Sequence, residues 1–244
     1  MALPLTLVLL PGLDGTEVFF RPLLRALPPW IHPHVVCFPA TAPADYPRLL
    51  SVVSKALKGI SQYHVLGWSF SGPLALMLAA AQPESVQGVI LVSTFLRPPR
   101  PQYVRLRFAA VTPMIWAIRA GRRLPLWLTQ RSGCELWRDK CETWRRVNTR
   151  MVAGRIRAVL AVDAREQLRT CPRPVLCLAG RHDRVVPYRN VQDIVRTRPS
   201  IRVHMMEGNH FALYTNPTSA AQVIGGFMNV HHPSPPDQQE EGAL

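Results

Sequence analysis

Six short apolar runs, each bounded by glycine, proline or polar residues, punctuate the chain at Leu5–Leu10, His34–Phe38, Tyr63–Gly67, Val86–Ser93, Pro174–Gly180 and Ile201–Met206. None alternates cleanly between apolar and polar positions, which predicts strands covered on both faces, as in a parallel sheet. Between them, helical spacing runs through Glu17–Leu27, Asp45–Lys58, Phe70–Gln82 and Pro187–Arg196, with a closing helix near Pro217–Val230. This alternation predicts an α/β fold: an about six-stranded, mostly parallel sheet with helices on both faces.

The alternation stops between about Arg97 and Arg173, where no strand pattern occurs. The segment opens on Arg97–Pro101 (RPPRP), a stiff linker composition. Within it Cys134, Trp137, Cys141, Trp144, Val147 and Met151 recur at three- and four-residue spacing. That stripe predicts an amphipathic helix with Glu135, Arg138, Asp139, Glu142, Arg145 and Arg146 outside it. Further helices are expected over Val104–Ile118 and Val152–Val162. The expected organisation is a core of residues 1–96 and 169–230, a helical cap over residues 97–168, and a disordered Pro-rich tail at 231–244 (HHPSPPDQQEEGAL).

With 244 residues, the chain can bury a full core without disulfides or metals. Its five cysteines (Cys37, Cys134, Cys141, Cys171, Cys177) form no CxxC pair, which favours a reducing compartment over a disulfide framework or a zinc site. The apolar start lacks a basic first segment and a small-residue cleavage site and ends at Leu10, so a buried strand is expected rather than a signal peptide. No run approaches the roughly 18 apolar residues of a membrane span. A soluble, cytoplasmic protein is the expectation.

Four loops carry candidate chemistry. In Gly67-Trp68-Ser69-Phe70-Ser71-Gly72, between a predicted strand and helix, a sharp turn would expose the Ser69 hydroxyl to a base, as a weak nucleophile needs. Ser71 stands where G-x-S-x-G has glycine and is a rival nucleophile. Pro11-Gly12-Leu13-Asp14-Gly15 ends the first strand; the amides of Leu13 and Phe70 are candidates for holding an oxyanion, the alternative being an ordinary strand-end turn. In Gly180-Arg181-His182-Asp183, Asp183 either orients an imidazole or caps the helix expected from Pro187; His182 is assigned a surface or loop role. Glu207-Gly208-Asn209-His210 follows the last strand and offers a proton shuttle near neutral pH.

All three candidates, Ser69, Asp183 and His210, fall at C-terminal strand ends, where open parallel sheets bind ligands. In this order and context, residues 3–230 resemble the α/β-hydrolase superfamily, beginning at the third strand of its usual sheet. Some members carry the acid after the preceding strand, but Leu91–Phe95 has no carboxylate here. The resemblance implies a serine esterase with Ser69 as nucleophile, His210 as base, Asp183 as orienting acid, an acyl-enzyme intermediate and no cofactor or metal. The short chain, the G-W-S turn, the G-R-H-D loop and the basic cap are similar to esterases acting on pimeloyl-carrier-protein methyl esters. An acyl thioesterase or acyltransferase with the same triad is the enzymatic alternative, and a non-catalytic ligand-binding protein on this fold is the alternative of another class.

Charge bears on partners. Of 29 basic and 15 acidic residues, 18 and 5 lie within 97–173, giving that segment nearly all of the net +14. Arginine outnumbers lysine 26 to 3, which compositional bias explains, but bias does not explain the clustering. An acidic acyl carrier protein presenting a tethered ester is the natural partner of such a surface. An anionic lipid surface is the competing one, and a solvated face without a partner the plain alternative. With no phosphate-binding loop, zinc finger or stacking motif, nucleic acid is not expected. His32, His34, His231 and His232 have too few companions for a metal site. Trp116, Trp127, Trp137 and Trp144 are assigned to an acyl pocket or to the core.

Overall fold

A computed structural model of the chain describes residues 5–39, 45–100 and 134–230, with Gln102, Trp116 and Ala120 as single positions. Six strands, β1 (Leu5–Leu10), β2 (Ile31–Val35), β3 (Tyr63–Trp68), β4 (Val86–Val92), β5 (Val175–Gly180) and β6 (Arg202–Met206), form one sheet in the order β2-β1-β3-β4-β5-β6. Every described pairing is parallel. The unbroken apolar runs are explained by their alternation between two cores. Val8, Leu10, Val65, Val89, Leu91 and Cys177 point to one face. Leu7, Leu9, Leu66, Ile90, Val92 and Leu178 point to the other. Period-two alternation is thus present, but both faces are apolar because both carry helices.

The first face is covered by α2 (Tyr46–Ala56), α3 (Ser71–Ala81), α6 (Arg165–Thr170) and α7 (Arg189–Thr197). The second is covered by α1 (Arg21–Ala26), α8 (Ala212–Thr215) and α9 (Pro217–Val230). α3 is apolar all round, with eight of its eleven residues buried between sheet and outer helices. α2 starts where expected because Asp45 caps it, accepting from the Arg48 amide at 3.0 Å, with Pro47 in the first turn.

Two expectations need correction. The second strand is Ile31–Val35, three residues before the expected His34–Phe38. Pairing with β1 in the register Leu5↔Ile31 to Leu9↔Val35 decides this, and the apolar Val36 and Phe38 lie past the strand, packed in the core. The long cap stripe is two helices, α4 (Glu135–Arg146) and α5 (Thr149–Ala161). Val147 and Asn148 are extended, and the Asn148 side chain caps α5 through the Arg150 amide at 2.9 Å. The buried face of α4 is also rotated from its stripe: Asp139 and Thr143 are buried beside Cys141, whereas Cys134 is exposed. Trp137 and Trp144 pack edge to face at 5.8 Å, half-buried. α6 crosses the expected core boundary and contacts α3 and α7. The helix expected at Val104–Ile118 (Trp116 apart), Trp127 and the tail 231–244 lie outside the described residues. Among the described residues no helix is long and apolar enough to cross a membrane.

Candidate active site

The sheet order fixes where a site can form. From β1 the chain steps one way to β2 and then crosses to β3 and onward to β6, so the loops after β1 and β3 part over a crevice. Ser69 follows β3 immediately. It holds φ 52°, a left-handed backbone rare for a residue with a side chain, while its amide stays on the sheet through Val92 O at 2.8 Å. The turn into α3 is tight: a Cβ on Gly67 would lie 2.3 Å from the Ser71 carbonyl oxygen. Thr94 Oγ1 donates to the Ser69 carbonyl, and Tyr46 Oη donates to that of Phe70 at 2.9 Å, so the strained turn is held from both sides.

His210 Nε2 lies 3.1 Å from Ser69 Oγ and its Nδ1 2.8 Å from Asp183 Oδ2. Residues at three strand ends, 141 and 27 positions apart in sequence, thereby form one hydrogen-bonded chain. The Asp183 side chain is 3% exposed and that of His210 12%, so the pair is largely shielded from water. Asp183 Oδ1 accepts from the Val185 and Val186 amides at 2.8 Å each. The contact with the imidazole and the hold on the turn that follows are divided between its two oxygens. It is no helix cap, since α7 begins at Arg189 without a side-chain cap. His182 is exposed, 3.9 Å from Glu207.

Ser71 is buried and its Oγ donates to the Pro11 carbonyl. Its hydroxyl is therefore turned away from His210 and ties α3 to the loop after β1. That loop brings Leu13 together with Phe70 and Ser69 into the lining of a cavity of about 270 Å³, which Phe95, Ile156 and Val186 also line. Among the described residues neither the Leu13 nor the Phe70 amide donates a hydrogen bond. The arrangement has the parts for nucleophilic attack on a carbonyl: a hydroxyl, a base on it, a carboxylate behind the base, free amides and an apolar pocket. Among the described residues no three His, Cys, Asp or Glu side chains converge as metal ligands.

Sequence reasoning missed Arg155. It sits fully buried on α5 and donates from Nη1 to the Leu13 carbonyl at 2.8 Å. Within an arginine-rich stretch nothing marks it; only its burial does. Asp14 was passed over too. Its carboxylate accepts from the Thr16 amide at 2.8 Å, and desolvation raises its pKa.

The model of the alpha/beta hydrolase fold family matches residues 42–217. A protein of Pseudomonas savastanoi pv. phaseolicola named "Putative carbamate hydrolase RutD" is 24% identical over 256 residues, covering 91% of this chain and 93% of that one. Among solved structures, a thermophilic esterase from Thermogutta terrifontis superposes with a TM-score of 0.76 at 17% identity, covering 95% of this chain and 92% of that one. The enol-lactonase from Burkholderia xenovorans LB400 gives 0.75 at 16%, covering 93% and 92%. These structural likenesses show the fold, and the family match extends over most of the chain, the Ser69, Asp183 and His210 loops included: the protein belongs to the α/β-hydrolase family.

Proposed function

We propose that this protein is a serine hydrolase of carboxylic esters. The observation that carries the reading is the imidazole of His210 bridging the Asp183 carboxylate and the hydroxyl of Ser69, which lines an apolar cavity. Ser69 Oγ attacks the ester carbonyl as His210 Nε2 takes its proton, and Asp183 stabilises the imidazolium and fixes its tautomer. The negative charge gathering on the carbonyl oxygen is held by the Leu13 and Phe70 amides. As the tetrahedral species collapses, His210 gives the proton to the departing alkoxide and the acyl group stays on Ser69. Water, deprotonated by His210, then attacks the acyl-enzyme; the carboxylic acid leaves and Ser69 recovers its proton. No step calls for a metal or cofactor.

At about 270 Å³, the cavity is smaller than the ~300–1,000 Å³ usual for ligand sites, which suits a short acyl group. For the exposed arginines of the cap, an acidic carrier protein delivering a tethered acyl ester is the partner we propose. The test is a panel of p-nitrophenyl esters of increasing acyl length, run beside acyl thioesters, a carbamate and a lactone. Ester turnover that declines with chain length, abolished in Ser69→Ala together with labelling by a fluorophosphonate probe, is expected. Ser71→Ala should remain labelled, at a stability loss of roughly 1–3 kcal/mol from the orphaned Pro11 carbonyl. Undiminished labelling of Ser69→Ala would move the nucleophile elsewhere, and preference for the thioester or carbamate would replace the substrate class.

A further inference from the structure

Arg155 is an expensive residue to keep. Its side chain is wholly buried, yet among the described residues Nε and Nη2 have no hydrogen-bond partner. Nη1 alone is satisfied, by the Leu13 carbonyl at 2.8 Å, and the guanidinium carbon lies 5.0 Å from the Phe38 ring centroid and 5.8 Å from that of Phe70. Burial pushes its pKa down to about 10, so it is still a cation at neutral pH. The nearby Asp14 carboxylate attracts it but is bonded to Thr16 rather than paired with it. A buried cation so incompletely partnered destabilises a fold, and an apolar side chain of similar length would pack there at lower cost.

What the guanidinium touches suggests why it is there. It bonds Leu13 and lies against Phe70, the two residues whose amides face the developing oxyanion in the reading above. The loop is shaped around it: a Cβ on Gly15 would come within 2.5 Å of Nη1, at a φ of +78°. The helix that carries it also lends Ile156, Val159 and Leu160 to the acyl cavity. We propose that Arg155 is a positioning residue for the oxyanion site, fixing the Leu13 backbone through its carbonyl and setting a positive charge behind both amides. In a water-excluded site such a fixed charge counts most in the transition state, when the carbonyl oxygen becomes anionic. One helix of the cap thus both lines the acyl pocket and holds the oxyanion loop in place.

This proposal rests on the esterase reading, and the experiment separates the two. Wild type, Arg155→Met and Arg155→Lys are compared for p-nitrophenyl acetate kinetics, inhibition by phenylboronic acid as a tetrahedral mimic, fluorophosphonate labelling and melting temperature. Arg155→Met should melt at or above the wild-type temperature. Its kcat should fall roughly tenfold or more, approaching the ~10²–10³ of losing an oxyanion donor outright. KM should stay within about twofold, and boronate affinity should weaken in step with kcat. Arg155→Lys, which keeps the charge and one donor, should recover part of both. A folded Arg155→Met enzyme with wild-type kcat and boronate affinity overturns the proposal and leaves the esterase reading standing. So does an Arg155→Met chain that melts lower or fails to fold, because the arginine is then structural. A wild type neither labelled nor active on any ester overturns both readings.

Discussion

At Asp183 a single carboxylate holds two structures together, with one oxygen on the imidazole of His210 and the other on the amides of Val185 and Val186. Asparagine can keep the second task, since its carbonyl still accepts from two amides, but it presents an NH₂ to His210 and favours the wrong tautomer. Asp183→Asn should therefore lower kcat by roughly 10⁴ with little change in melting temperature. Asp183→Ala should lose both, adding a stability cost of roughly 1–3 kcal/mol for the orphaned amides. Steady-state kinetics beside thermal melting distinguishes the pair. Comparable activity in Asp183→Asn and the wild type would remove Asp183 from the mechanism.

The elements of the cap are joined to the core by apolar packing, in which Val147 and Met151 of the expected stripe cluster with Leu13 and Leu136 reaches the second core, and by charge. Arg21 on α1 holds Glu142 on α4 through two bonds of 2.7 and 2.8 Å and reaches Asp139 at 3.4 Å. Tyr214, four residues after His210, donates to buried Asp139 at 2.8 Å, and Lys140 lies 4.3 Å over the ring of Phe211. Arg146 completes the network with Glu17 at 2.8 Å. α4 is thereby latched to the loop that carries the histidine. The Arg21 guanidinium beside Glu142 holds its carboxyl below the ordinary 4.5. A depressed carboxylate stabilises the fold above the unfolded-state pKa, and that contribution is lost as pH falls through the folded-state value. Melting temperature should thus decline below about pH 4.5 with a component that Glu142→Gln abolishes. At pH 7 the same substitution should cost about 1 kcal/mol, the pair being partly exposed. Parallel melting curves for wild type and Glu142→Gln from pH 7 to 3 would show that the latch does not bear on stability.

For the molecule as a whole, the structure uses up part of the basic surplus that the sequence assigned to one segment. Arg155 is buried, and Arg146 and Arg97 are paired with acids outside that segment, Glu17 and Asp193. Arg138, Arg150 and Arg157 are exposed and make no ion pair among the described residues. If these dock an acidic carrier, kcat/KM on a carrier-linked ester should fall steeply from low to physiological salt, while a small neutral ester stays nearly flat. Charge reversal at the three positions should reproduce the effect of salt on the first substrate alone. Equal response of both substrates would leave the cap charge without a docking role. Arg146, grouped with Arg138 and Arg145 by sequence, is unsuited to this test because reversing it would break the latch.

The sequence by itself determined the sheet and the order of its chemistry. Buried parallel strands are written as continuous apolar runs, and Ser69, Asp183 and His210 are legible because loops at strand ends carry little else that their small flanking residues would serve. Only the tertiary structure decided what the Ser71 hydroxyl bonds, that Asp183 serves two neighbours, where β2 pairs, and which arginines are spent inside. The physical reason is the range of the interactions. Periodicity and turn chemistry are local and survive in a linear string. A hydrogen bond from Ser71 to Pro11, or from Arg155 to Leu13 across 142 positions, exists only after the backbone has brought its ends together. Burial, which turns one arginine among many into a candidate for setting the oxyanion site, is a property of the packed molecule alone.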